Sequence, residues 1–213
     1  MVVWVLQFFA WGINKHGVID QRAALVKTHW AFIAQYDSQL IERGPVMQLD
    51  DTSIVTGSTH IVELDSMEEA EKFVNEEPFA QAGLFESIIF HRFQLELGRT
   101  QFDFESISDY PRYFIYCLAN EGQEDKRQKL AEAHESYCHK FDANFVCRGS
   151  IFSKAYSWMG SVFFMEVSGQ DKIAAFLADE PYKAAGLYEK TDIHRWTMGG
   201  PRNLNSSGAP IND

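Results

Sequence analysis

Two hydrophobic rhythms alternate along the chain. Over residues 21–42, Leu25, His29, Phe32 and Tyr36 recur at steps of 4, 3 and 4, which places them on one face of a helix. Over residues 125–148, Leu130, His134, Tyr137 and Phe141 recur at the same steps, so two long helices are predicted, each with a histidine inside its apolar stripe. Around the first helix lie short runs rich in β-branched and aromatic residues, separated by turn residues, which is the pattern of strands. Val3 to Ala10 reads as a strand followed by a loop through Gly12 and Gly17, and Asp20 caps a helix over Gln21 to Glu42 that stops at Gly44-Pro45. Val46 to Leu49 and Ser58 to Leu64 read as two further strands. Ser66 with Glu69 is a capping box opening a helix to Asn75, and Pro78 and Gly83 break the chain before a last strand, Ser87 to Leu95.

The second half repeats this order: a strand at Tyr113 to Ala119, a helix at Asp125 to Arg148, strands near Ile151 and at Ser161 to Val167, a helix at Gln170 to Ala178 and a strand at Lys190 to Thr197. The repeat is also literal. NEEPFAQAGLFESIIFHRF at residues 75–93 and ADEPYKAAGLYEKTDIHRW at residues 178–196 align without a gap, with eight identities in nineteen positions. Self-similarity at the length of a small domain predicts a duplicated domain rather than a solenoid.

Each half therefore reads β-α-β-β-α-β, and the fold class is α+β: two fused ferredoxin-like (βαββαβ) repeats. The expected boundaries are residues 1–95 for the first repeat, 96–111 for a linker packed along the surface, 112–198 for the second repeat and 199–213 for a flexible tail. A four-stranded sheet covered by helices on one face leaves a large apolar patch on the other, which soluble monomers rarely expose. The duplication is expected to pair the two antiparallel sheets inside one chain as a pseudo-dimeric αβ barrel, with a further homodimer possible.

Composition narrows the partners. The chain has 213 residues, of which 46% are hydrophobic and 14% aromatic, enough for a core in each half. A net charge of -11 excludes affinity built on neutralising phosphates, so no nucleic acid partner is expected. The apolar start MVVWVLQFFAWGI lacks the basic flank of a signal peptide and is too short to span a bilayer, so no membrane partner is expected either. The three cysteines, Cys117, Cys138 and Cys147, form neither a disulfide framework nor a zinc motif, which points to a cytoplasmic setting.

The candidate chemistry is the pair of stripe histidines. A histidine on an apolar face is often a core residue satisfied by a local partner, and an unsatisfied buried polar group costs roughly 1–3 kcal/mol. Glu77 and Glu180, each just before a proline, recur with His29 and His134 and are the candidate partners. Imidazole titrates near neutrality, so such a pair suits acid-base work. Phe32, Tyr36, Tyr137 and Phe141 suit a flat apolar ligand, although helical spacing is equally that of plain core. His91 and His194 recur on the last strand of each half as candidate second polar groups in a pocket. Of His29, His91, His134 and His194 no two have local ligand spacing, so no metal is expected, and no glycine-rich phosphate loop supports a nucleotide cofactor.

On these residues each half resembles the YCII (YciI-like) family of the dimeric αβ-barrel superfamily. The matching pieces are Arg22 and His29 on the helix, Gly44-Pro45, Gly57-Ser58 and EEPFAQAGLFE at residues 76–86. Their counterparts are Arg127, His134, Gly149, Gly160-Ser161 and DEPYKAAGLYE at residues 179–189. The resemblance implies a pocket with His29 and Glu77, or His134 and Glu180, as an acid-base dyad. It also implies cofactor-free proton transfer, an elimination such as dehydrochlorination or an isomerisation, on a small quinol, lactone or enol, with an aromatic or quinoid substrate as partner. Where the family usually has aspartate before the proline this chain has glutamate, which reaches one methylene further. The rival reading is a non-catalytic small-ligand binding or regulatory protein.

Overall fold

The computed structural model describes residues 6–200. The predicted start of the first strand before Leu6 and the predicted tail beyond Gly200 lie outside the described residues. The chain divides into two compact units: residues up to His91 together with those from Thr197 on, and residues 92–196.

In the first unit the order is β1 (Leu6–Asn14), α1 (Ile19–Ile33), β2 (Leu40–Met47), β3 (Val55–Leu64), α2 (Met67–Glu76), a single helical turn α3 (Pro78–Gln81), and β4 (Phe85–Leu95), which runs on into the second unit. β3 pairs antiparallel with both β1 and β2, which sets Trp11 opposite Thr59 and Arg43 opposite His60. Phe8, Phe9, Ile61, Val62, Phe73 and Phe79 are buried in the unit's core.

The second unit repeats the plan with β5 (Arg112–Ala119), α4 (Glu124–Cys138), β6 (Phe145–Phe152), β7 (Trp158–Glu166), α5 (Gln170–Asp179), a single turn α6 (Pro181–Ala184) and β8 (Tyr188–Trp196). Its strands run β8-β5-β7-β6, all antiparallel, which is the ferredoxin-like order. The end of β4, Arg92–Leu95, pairs with β6.

The long helices are shorter than the sequence predicts. α1 ends at Ile33 and α4 at Cys138, each followed by one tighter turn and then a strand. Arg43-Gly44 and Arg148-Gly149 therefore lie inside β2 and β6 rather than closing a helix. The apolar stripe misleads because Tyr36 and Phe141 sit in the tighter turn, where they still pack beside Phe32 and Tyr137. Beyond them Leu40, Ile41 and Val46, and Phe145, Val146 and Ile151, bury themselves in the sheets. Two smaller differences occur near the N-terminus. β1 continues through Gly12, where a Cβ would sit 2.5 Å from the Phe85 ring, and Asp20 lies in the first turn of α1 rather than capping it. Ser66 does cap α2, accepting from the Glu69 amide.

The segment 96–111 is held at several points. Leu97 and Gln101 are buried, Arg99 donates to the carbonyls of Asp142 and Phe145, and Ser106 donates to the Glu166 carboxylate.

Candidate active site

Glu77 is placed by local chain chemistry. It is the N-cap of α3, with Pro78 at the first helical position, where no amide hydrogen is needed, and one carboxylate oxygen accepts from the Ala80 amide at 2.9 Å. The turn ends at Gly83 (φ +65°), a left-handed conformation that favours glycine. Glu180 is held alike, accepting from the Tyr182 and Lys183 amides, with Gly186 (φ +70°) ending the turn. The sequence signal E-P-aromatic-x-x-A-G is thus a capped single helical turn that fixes a carboxylate.

Against each carboxylate stands the stripe histidine. His29 Nδ1 lies 2.5 Å from Glu77 Oε1, and His134 Nδ1 lies 2.6 Å from Glu180 Oε1. His29 stacks on Phe79 with ring centroids 4.4 Å apart, and His134 stacks on Tyr182 at 4.1 Å. The structure brings together all four residues that the sequence proposed as dyads. With Nδ1 committed to a carboxylate, Nε2 is the nitrogen left for other chemistry.

Beyond Nε2 the copies part. In the first unit His29 lines a cavity of about 380 Å³ with apolar walls that include Ile19, Val26, Ile33, Pro45 and Phe79. Arg22, Arg43, Ser58 and His60 supply its polar groups, and Met198 to Gly200 form part of its wall. Arg22 is buried and donates to Ser58 Oγ and to Asn14 Oδ1, so among the described residues its hydrogen-bond partners are neutral. Its guanidinium also lies 4.1 Å from the Phe79 ring centre. Arg43 donates to Asp37 and to the Gly199 carbonyl.

In the second unit the counterpart of Gly199 is Glu96. Gly199 donates its amide to the Arg43 carbonyl at 2.9 Å, and Glu96 donates its amide to the Arg148 carbonyl at 3.1 Å. Glu96 adds a carboxylate that accepts from Ser150 Oγ (2.6 Å) and Arg148 Nη1 (3.2 Å) and lies 3.8 Å from His134 Nε2. Arg148 is fully buried and also pairs with Glu135, whose counterpart in α1 is Trp30.

Electrostatics follows from these partners. Burial lowers the pKa of His29 from 6.5, Glu77 partly offsets that, and the Arg22 and Arg43 charges lower it further. Its ring is neutral at pH 7. For His134 burial works in the same direction but is outweighed by Cys138, Glu180 and Glu96, and the pKa is raised to about 12. Its ring is an imidazolium with no lone pair to offer.

The remaining sequence candidates fall elsewhere. Phe32 and Tyr36 pack on Phe73 of α2 and do not line the cavity, because they point to the helix-helix side of α1. Tyr137 and Phe141 pack on Phe176 and line a different hollow, of about 400 Å³, between α4 and α5. His91 on β4 and His194 on β8 line none of these spaces, and burial lowers both pKa values, that of His91 to about 4. Sequence reasoning missed His60, whose ring centre is 5.5 Å from that of His29 and which lines the cavity. It is overlooked because a search for repeated residues skips it: Phe163 stands there in the second copy. Among the described residues no group of three or more His, Cys, Asp or Glu is placed to hold a metal ion, and no helix is long and apolar enough to cross a membrane.

Comparison with known proteins agrees with the duplication. The profile of the YCII-related domain matches residues 6–94 and again residues 112–197. Among curated proteins no sequence matches the chain. Among solved structures, chlorite dismutase from Candidatus Nitrospira defluvii, in complex with imidazole, is 10% identical over 92% of both chains, with a TM-score of 0.58. A putative monooxygenase from Lactobacillus acidophilus NCFM is 5% identical over 91% of this chain and 94% of its own (TM-score 0.56). These likenesses assign the dimeric αβ-barrel fold. A 5-chloro-2-hydroxyhydroquinone dehydrochlorinase from Burkholderia phenoliruptrix AC1100, in complex with 2,5-dihydroxybenzoquinone, is 27% identical over 41% of this chain and 93% of its own, with a TM-score of 0.39.

Proposed function

Since the chain belongs to the YCII-related domain family and carries that domain twice, we propose that it is a small-molecule enzyme that transfers protons without a cofactor, using the first copy alone. The observation that carries this reading is the His29–Glu77 pair, 2.5 Å apart, on the wall of a cavity of about 380 Å³. The apolar walls suit a flat quinol, lactone or enol.

In this mechanism neutral His29 takes a proton from an acidic carbon or hydroxyl of the substrate through Nε2. Glu77, held by the Ala80 amide, accepts from Nδ1–H throughout and stabilises the imidazolium that forms. The electron pair of the broken bond becomes an enolate, which the Arg22 and Arg43 charges favour. In an isomerisation His29 returns the proton to a different carbon. In an elimination the enolate electrons form the new double bond, and the leaving group, a chloride for example, departs with its own bonding pair. A positioned general base contributes typically about 100- to 10,000-fold, which suffices for substrates that are already acidic.

The test is a turnover screen of chlorinated quinols, muconolactones and related enols with the wild type, His29→Gln and Glu77→Gln. Turnover by the wild type that both variants lose supports the reading. Stoichiometric binding without conversion, or conversion that survives both substitutions, overturns it in favour of a binding protein.

A further inference from the structure

We propose that the first cavity takes a ligand carrying an anionic oxygen group, a carboxylate or a group of the same shape and charge, held by Arg22, and that Glu96 of the second copy fills part of the corresponding space with its own side chain. The proposal rests on the reading of the first cavity as the binding site and names the class of ligand it receives.

Three observations lead to it. First, the Glu96 carboxylate meets Arg148, Ser150 and the Nε2 side of His134, whose counterparts Arg43, Pro45 and His29 all line the open cavity. A planar carboxylate is thus already accommodated by one version of this site. Second, the first copy carries less negative charge there and the same positive charge: Gly199 stands for Glu96 and Trp30 for Glu135, while Arg22 and Arg43 match Arg127 and Arg148. Third, Arg22 is 8% exposed, lines the cavity and among the described residues donates only to the neutral Asn14 and Ser58.

A buried guanidinium is normally matched by an anion, because leaving a charge unpaired away from water is costly. In the first copy Glu77, the carboxylate whose charge acts on Arg22, is already engaged with His29 and Ala80, and Asp37 with Arg43. The anion the site lacks is therefore expected from the ligand. Charge-assisted, two-pronged contacts to a planar carboxylate are what arginine provides best. Facing Arg22, that group would leave His29 Nε2 to the rest of the ligand, which lies along the apolar wall.

The experiment is calorimetric titration of the full chain with 2-hydroxybenzoate and with its neutral isostere 2-hydroxybenzamide. The wild type is expected to bind one 2-hydroxybenzoate per chain, at least about tenfold tighter than the amide, and Arg22→Met to remove most of that preference. Equal affinity for the two probes, no binding of the carboxylate, or a preference that Arg22→Met leaves intact overturns the proposal. The outcome is separable from that of the proton-transfer reading, because an absent carboxylate preference leaves the losses in His29→Gln and Glu77→Gln intact, and unchanged turnover in those variants leaves the preference intact.

Discussion

His29 and His134 make the same bond to the same kind of carboxylate, from the same position on equivalent helices, and differ in what their second nitrogen meets. His29 faces a cavity whose wall is Gly199, whereas His134 faces the Glu96 carboxylate. That exchange, with Cys138 in place of Ile33, separates a neutral base from an ion held between acids. A dyad is therefore defined by its surroundings as much as by its two members. A duplicated domain can keep a catalytic pair as a structural ion pair once a neighbouring side chain fills the space that a substrate would need.

The largest expected effect concerns turnover. His29→Gln and Glu77→Gln should each lower kcat/KM about 100- to 10,000-fold, the range of a lost general base, while His134→Gln leaves it within about twofold. Steady-state kinetics on the substrate found by screening checks this, and a comparable loss in His134→Gln would break the comparison.

Stability should reverse the ranking. His134→Phe leaves buried Glu180 and half-buried Glu96 against one cation fewer and should cost about 3 kcal/mol, more than His29→Phe, which leaves one carboxylate with its Ala80 amide still in place. Urea denaturation of the two variants measures the difference. The pH dependence differs in sign as well. The folded pKa of His134 is raised, so its contribution is fully present below the unfolded value near 6.5 and is lost as pH rises towards about 12. The folded pKa of His29 is lowered, so its contribution is present above 6.5 and is lost as pH falls through the lower folded value. Denaturation between pH 5 and pH 9 should show each variant losing only its own trend.

A smaller effect is expected at His60, the cavity residue that the second copy replaces with Phe163. Burial, with His29, Arg43 and Arg22 opposing a further positive charge, keeps its pKa well below 6.5, so it is neutral and can orient a ligand but carries no charge. His60→Phe should raise KM by less than about tenfold with kcat nearly unchanged, the pattern of lost uniform binding. A drop in kcat equal to that of His29→Gln would make His60 part of the chemistry.

The repeat was readable in the sequence because both copies keep the E-P-aromatic-x-x-A-G turn, and the pairing of Glu77 with His29 followed from their joint recurrence. The ends of α1 and α4 were not readable, since Tyr36 and Phe141 continue a helical stripe one turn past the helix. Recurrence also has a blind side, because it finds what the copies share and passes over what distinguishes them. His60 has no counterpart histidine, Glu96 lay in a segment read as linker, and Gly199 in one read as tail. Which residues close a cavity depends on strand partners distant in sequence, such as Arg43 opposite His60, and no local spacing encodes that.

The measurement that tests the central claim most directly is a pH titration of side-chain nitrogen chemical shifts for both imidazoles in one histidine-labelled sample. The account predicts that at pH 7 His29 is neutral, with its proton on Nδ1, and that it gains a second proton only below pH 6.5, while His134 stays doubly protonated up to at least pH 9. Two rings that titrate together, or a His29 already charged at pH 7, would contradict it.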